Sequence, residues 1–173
     1  MPPQDSLIQI QTQVLNQAFA PIGTSFRLAG IDRTINPTWS NGGNEQAMKN
    51  VLHKGGPADL NIYIVSDLGG ETGDTNFPWE YQVNPGMDGC SILYTTMPGG
   101  SLEPYNKGIA LVHEVGHWLG LYNTFEGGCD APGDYVDDTP YQATGSFGCS
   151  VGRDTCPAPG VDPVHNYMDT SNE

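Results

Sequence analysis

The hydrophobic period stops at Gly120. Before it, apolar side chains recur at spacings of 3.6 or 2; from 122 to 165 neither period is sustained, and Gly, Pro, Asp and Cys dominate. Such a chain must draw its helices and sheet from residues 1–120 and hold 121–173 by other means. Leu7, Ile8, Val14, Leu15, Ala18 and Phe19 lie at helical spacing behind Asp5 or Ser6, with Pro21 past the end. "SFRLAGIDRTI" alternates Phe26 and Leu28 and reads as a strand. Asn44 caps a second helix through Ala47, Met48, Val51 and Leu52, ended by Gly55, Gly56 and Pro57. "DLNIYIVSD", 59–67, reads as a strand covered on both faces. Residues 68–89 read as Gly-rich loop and "CSILYTT", 90–96, as a shorter strand. A third helix runs from about Asn106 to Leu119 and stops at Gly120.

That third helix carries "HEVGH". His113 and His117 are one turn apart, so both imidazoles leave the same face and can share one ion. Glu114 lies beside that face, placed to take a proton from a metal-activated water rather than to bind the metal. The bland reading is an amphipathic helix with two incidental histidines. Gly120, three residues after His117, continues the longer pattern His-Glu-x-x-His-x-x-Gly-x-x-His, in which the last position completes a trio of imidazoles. Here that position holds Asn123, a neutral carboxamide and a far weaker zinc ligand. Downstream, "HNYMDTSNE" sets Met168 in a turn-forming context, and a methionine turn accompanies the longer pattern.

Charge and cysteines bound the partners and the compartment. The net charge of −14 argues against nucleic acid or an anionic membrane surface as a partner. No run of 18 apolar residues exists, so nothing reads as a membrane span. The first residues lack the basic and apolar regions of a signal peptide. Cys90, Cys129, Cys149 and Cys156 have no C-x-x-C spacing, which argues against a cysteine zinc site. Three of them lie in the irregular last third, where a crosslink contributes most, and this favours an oxidising compartment. Glu126, Asp130, Asp134, Asp137 and Asp138 fit either a solvated acidic loop or a hard cation such as calcium. His53 reads as a surface residue, His165 as a turn-stabilising one, and Arg153 with Asp154 as a local ion pair.

These segments together resemble the pappalysin family of metzincin zinc endopeptidases, in its secreted fungal and bacterial forms. The resemblance rests on "GIALVHEVGHWLGLYNTFEGGC", "GDYVDDTP", "GRDTC" and "DPVHNYMD", with "KGGPADLN" and "MPGGSLEPYNKG" upstream. It implies an α+β fold, a mixed twisted sheet with helices (residues 1–120) over an irregular, disulfide-stapled lower half (121–173) that contains the Met-turn. Together these make one partial catalytic domain. The strand at 90–96 would be the upper rim, open to an extended peptide. The implied function is zinc-dependent hydrolysis of peptide bonds in protein or peptide substrates. Glu114 would be the general base, with one zinc on His113, His117 and the degenerate position Asn123. Activity is expected to be impaired by Asn123 and by Thr170, which stands where the family carries a tyrosine. The alternative is a non-catalytic protein that holds a peptide without cutting it. The resemblance also implies a Cys129–Cys156 disulfide, with Cys149 left free or paired to Cys90. It further implies calcium near Asp134, Asp137, Asp138 and Thr139, a secreted location, and a sequence cut at both ends.

Overall fold

In the computed structural model, residues 3–171 are described. They fall into two compact units, one ending at Leu119 and one beginning at Gly120. In the first unit, helix α1 (Asp5–Phe19) forms where its apolar stripe predicts, burying Leu15 and Phe19. Gln11 on the same stripe is buried too, and its Nε2 donates to the Gly108 carbonyl at 2.8 Å. Helix α2 (Pro37–Ser40) is a single turn that the hydrophobic pattern does not show. Its signal is in the caps, since Asn36 accepts from the Thr38 and Trp39 amides and Pro37 occupies the first position. Helix α3 (Glu45–Leu52) starts at Asn44, whose side chain accepts from the Ala47 amide.

The expected strand at 25–35 does not form. Leu28 and Ile31 are about two-fifths exposed and Ile35 is wholly exposed, so the alternation buries no face. The one residue that packs, Phe26, meets Phe19 edge-on at 5.5 Å. Its backbone amide and carbonyl are both bonded by the Asn16 side chain, which takes the place of a neighbouring strand.

The sheet has three strands: β1 (Ile62–Val65), β2 (Gly73–Thr75) and β3 (Cys90–Leu93), in the order β1-β3-β2. β1 runs parallel to β3 with Ile62 opposite Cys90, and β2 runs antiparallel with Thr75 opposite Cys90 and Gly73 opposite Ile92. Three expectations change. Part of the segment read as loop at 68–89 is strand β2. The strand at 90 is central rather than a rim, because β2 covers its second side and is itself an edge, as β1 is on the other side. β1 is covered on both faces from Tyr63 to Val65, while Ile62 at its start is exposed, contrary to the expectation. Ile64 packs toward Leu15, Ile92, Leu111, Val112 and Val115, while Tyr63 and Val65 pack with Met48. Helix α4 (Ile109–Trp118) begins later than about Asn106, after Gly108 at φ 87°, a left-handed conformation that suits glycine. A side chain there would also strike the Gln11 amide. His53 is not at the surface: its side chain is 14% exposed and its Nε2 lies 3.6 Å from Asp88 Oδ2.

The second unit is built of turns and bends, with no helix or strand among its described residues. The disulfide Cys129–Cys156 closes it, while Cys90 is a buried thiol and Cys149 an exposed one. Arg153 pairs with buried Asp162 at 2.7 Å rather than with its neighbour Asp154, because Asp162 also accepts from the Thr155 amide and hydroxyl and is fixed in place.

Candidate active site

Helix α4 places the first candidate residues. Leu111, Val112 and Val115 bury one stripe in the core, which turns the stripe bearing His113 and His117 away from it. The two imidazoles approach Nε2 to Nε2 at 3.0 Å with ring planes at 88°. Two nitrogens on one tetrahedral zinc sit about 3.3 Å apart, so this pair fits two adjacent ligands within a few tenths of an ångström. The Phe77 ring stands edge-on to His117 at 5.3 Å and stacks on Trp79 at 4.5 Å.

Glu114 is 6% exposed. Its Oε2 accepts from the Thr75 hydroxyl of β2 at 2.7 Å. Burial is the largest influence on its carboxyl and pushes it up to about 7; the Thr75 hydrogen bond opposes this, and Asp74 and Glu71 add to it. A carboxyl poised there can take a proton at neutral pH and give it back, as a general base must.

The remaining candidates lie in the second unit. The Oδ1 atom of Asn123 is buried and meets no hydrogen-bond donor among the described residues. Such an orphaned acceptor is costly unless something fills its lone pairs. The next residue, Thr124, donates its amide to the Met168 carbonyl at 3.1 Å and its hydroxyl to Gln142 Oε1 at 2.7 Å. Gln142, fully buried, in turn donates to Asp169 Oδ1 and to the Ser146 hydroxyl. Asn123 and the buried Met168 are thereby held in one hydrogen-bonded piece. The sequence gives no period from which Thr124 and Gln142 could have been found. Met168 does sit in a turn, with its amide bonded to Asn166 Oδ1. In the acidic loop, Asp134 is buried and accepts from the Val136 amide, while Asp137 and Asp138 are exposed. Among the described residues no three His, Cys, Asp or Glu side chains converge to hold a metal ion. His165 is exposed, with its Nδ1 3.8 Å from Cys149 Sγ.

With this geometry in hand, comparison with known proteins places the chain. The peptidase M43 family model, described as pregnancy-associated plasma protein-A, matches residues 56–173. Extracellular metalloprotease 1 of Coccidioides posadasii is 52% identical over 172 residues, covering 96% of this chain and 62% of that protein. An extracellular metalloprotease of Neurospora crassa is 52% identical over 176 residues, covering 96% and 60%. The chain thus spans about three-fifths of the length of these curated relatives. Among solved structures, mature mirolysin of Tannerella forsythia in complex with a cleaved peptide superposes with a TM-score of 0.78. It is 30% identical, and the match covers 99% of this chain and 78% of that one. Mirolysin in complex with a compound numbered 9 gives 0.76 at the same identity. The α+β fold is the metzincin fold of mirolysin, and the chain belongs to the pappalysin family of metalloproteases.

Proposed function

We propose that this chain is the catalytic portion of a secreted zinc endopeptidase whose third zinc position is weakened by Asn123. The observation that carries the reading is the pair of imidazole nitrogens 3.0 Å apart with a buried carboxylate on the adjoining residue. His113 Nε2 and His117 Nε2 would hold the metal. The third, weaker role proposed for the Asn123 carboxamide follows from its place in the His-Glu-x-x-His-x-x-Gly-x-x-His spacing. Zinc supplies, when bound, Lewis acidity toward a peptide carbonyl and a water acidified to a pKa of about 7. Glu114 takes the proton at Oε1, since Oε2 is occupied by Thr75. It then delivers that proton to the leaving amine. Strand β2, as a sheet edge, offers backbone groups against which an extended peptide aligns. The relatives' names as extracellular enzymes, together with the disulfide, support secretion. No helix among the described residues is long and apolar enough to cross a membrane. A calcium ion at Asp134, Asp137, Asp138 and Thr139 rests on family likeness alone.

The test is zinc titration of the chelated chain against a competing chelator, beside Asn123→His, with casein cleavage followed in both. The native chain should bind zinc at least about 10-fold more weakly than Asn123→His, and cleavage in either should vanish with chelator or with Glu114→Gln. Sub-micromolar zinc affinity in both chains would remove the claim of a weakened site. The second reading, a protein that holds peptide without cutting it, has Asn123 in its favour. It gains if Asn123→His binds zinc tightly and still cleaves nothing.

A further inference from the structure

We infer that Thr75 and Gly73 of edge strand β2 form the seat of the Glu114 carboxylate, which makes Thr75 a positioning residue for the base. The inference rests on the reading of Glu114 as that base. Two observations on opposite sides of one carboxyl group carry it. The Thr75 hydroxyl donates to Oε2 at 2.7 Å. Over the other oxygen lies Gly73, where a Cβ would stand 2.4 Å from Oε1, 2.5 Å from Cγ and 2.6 Å from Cδ. Gly73 has no left-handed φ, so space rather than backbone freedom is what its missing side chain provides. One oxygen is tethered, and the other sits where any side chain on residue 73 would strike it.

The seat is itself anchored from both directions. Thr75 and Gly73 pair with Cys90 and Ile92 of the central strand, both fully buried, so the strand cannot slip without exposing the core. The residue after Thr75, Asn76, accepts from the ammonium of Lys49 at 3.4 Å, and that fully buried lysine also donates to the Met87 and Gly89 carbonyls. The direction of Glu114 is therefore set by the register of the sheet edge and not by its own helix alone. The strand that would align a peptide also aims the base at it.

The experiment uses the full chain and Asn123→His in parallel, zinc-loaded for kinetics and metal-free for crystallography. Thr75→Val should lower kcat about 10-fold with KM held within about twofold, and Thr75→Ser should restore most of the loss. Gly73→Ala presses on the flexible end of the Glu114 side chain, so it should fold and lower kcat while keeping the hydroxyl. Crystal structures should show the Glu114 carboxylate bonded to residue 75 in the native and Thr75→Ser chains and displaced in Thr75→Val and Gly73→Ala. Equal kcat in Thr75→Val and Thr75→Ser, or a carboxylate unmoved in Thr75→Val, overturns the seat. Native kcat in Glu114→Gln overturns the base reading instead. If no chain turns over, the proposed activity falls and the crystallographic comparison alone judges the seat.

Discussion

A carboxyl group removed from water holds its proton longer, and Glu114 is such a group. Its native value near 7 stands above the ordinary 4.5 because burial disfavours the charge. Between those two values the native metal-free chain binds a proton that the unfolded chain has released. Stability therefore falls as pH rises through this window, and the full cost is present above about 7. For the chelated chain the loss should be about 3 kcal/mol between pH 4 and 8, and Glu114→Gln should flatten it. Urea melts of both chains at several pH values check this, and parallel pH curves would refute it. Lys49 presents the opposite case, a buried cation that is fully used. It contacts Glu45 at 2.9 Å, two carbonyls and Asn76. Lys49→Met keeps the bulk but strands those acceptors, while Glu45, partly exposed, can rehydrate. A loss of about 2–4 kcal/mol is expected in the same melts.

Among the elements, helix α4 depends on a contact at its last residue. Trp118 Nε1 donates to Asp88 Oδ1 at 2.9 Å, while Oδ2 of the same buried carboxylate meets no hydrogen-bond donor among the described residues. Trp118→Phe removes that donor and should cost about 1.5–3 kcal/mol, with faster hydrogen exchange at the last turn of α4 by mass spectrometry. Unchanged exchange there would show that packing alone docks the helix. Helices α1, α3 and α4 were legible because each prints a period or a cap: α1 by its stripe, α3 by Asn44, α4 by the histidines and Gly120; the single turn α2 has no period and was not. Strand β2 was not, since Gly-Asp-Thr carries no alternation. What defines it is its partner, β3, and the glutamate it faces. The segment at 25–35 failed in the reverse sense, with an alternation whose backbone bonds go to Asn16. The two imidazoles, and Glu114 beside them as the proposed base, could be read from spacing, because a helix fixes where residues four apart point. Thr75, Gly73, Thr124 and Gln142 could not, because their roles arise from contacts between segments distant in the chain.

At the scale of the molecule, the two units are stabilised by different means, and this difference can be measured. The first unit has its own core, in which Leu15, Cys90, Ile92, Met97, Leu111, Val112 and Val115 are at most 2% exposed. The second has few such residues and, among its described residues, no ladder. It relies on side chains that satisfy turns: Gln142 on Thr124, Ser146 and Asp169, and Arg153 with Asp162. For a piece held this way the Cys129–Cys156 bridge, closing a separation of 27 residues, removes unfolded-state entropy worth about 3–4 kcal/mol. Replacing both cysteines by serine should therefore raise hydrogen exchange across 120–171 well before it does so at Ile92 or Val115. The turns then open while the sheet and α4 keep their own burial. If exchange rose equally in both units, the chain would be one cooperative body, and the bridge would stabilise the imidazole helix as much as the loops it joins.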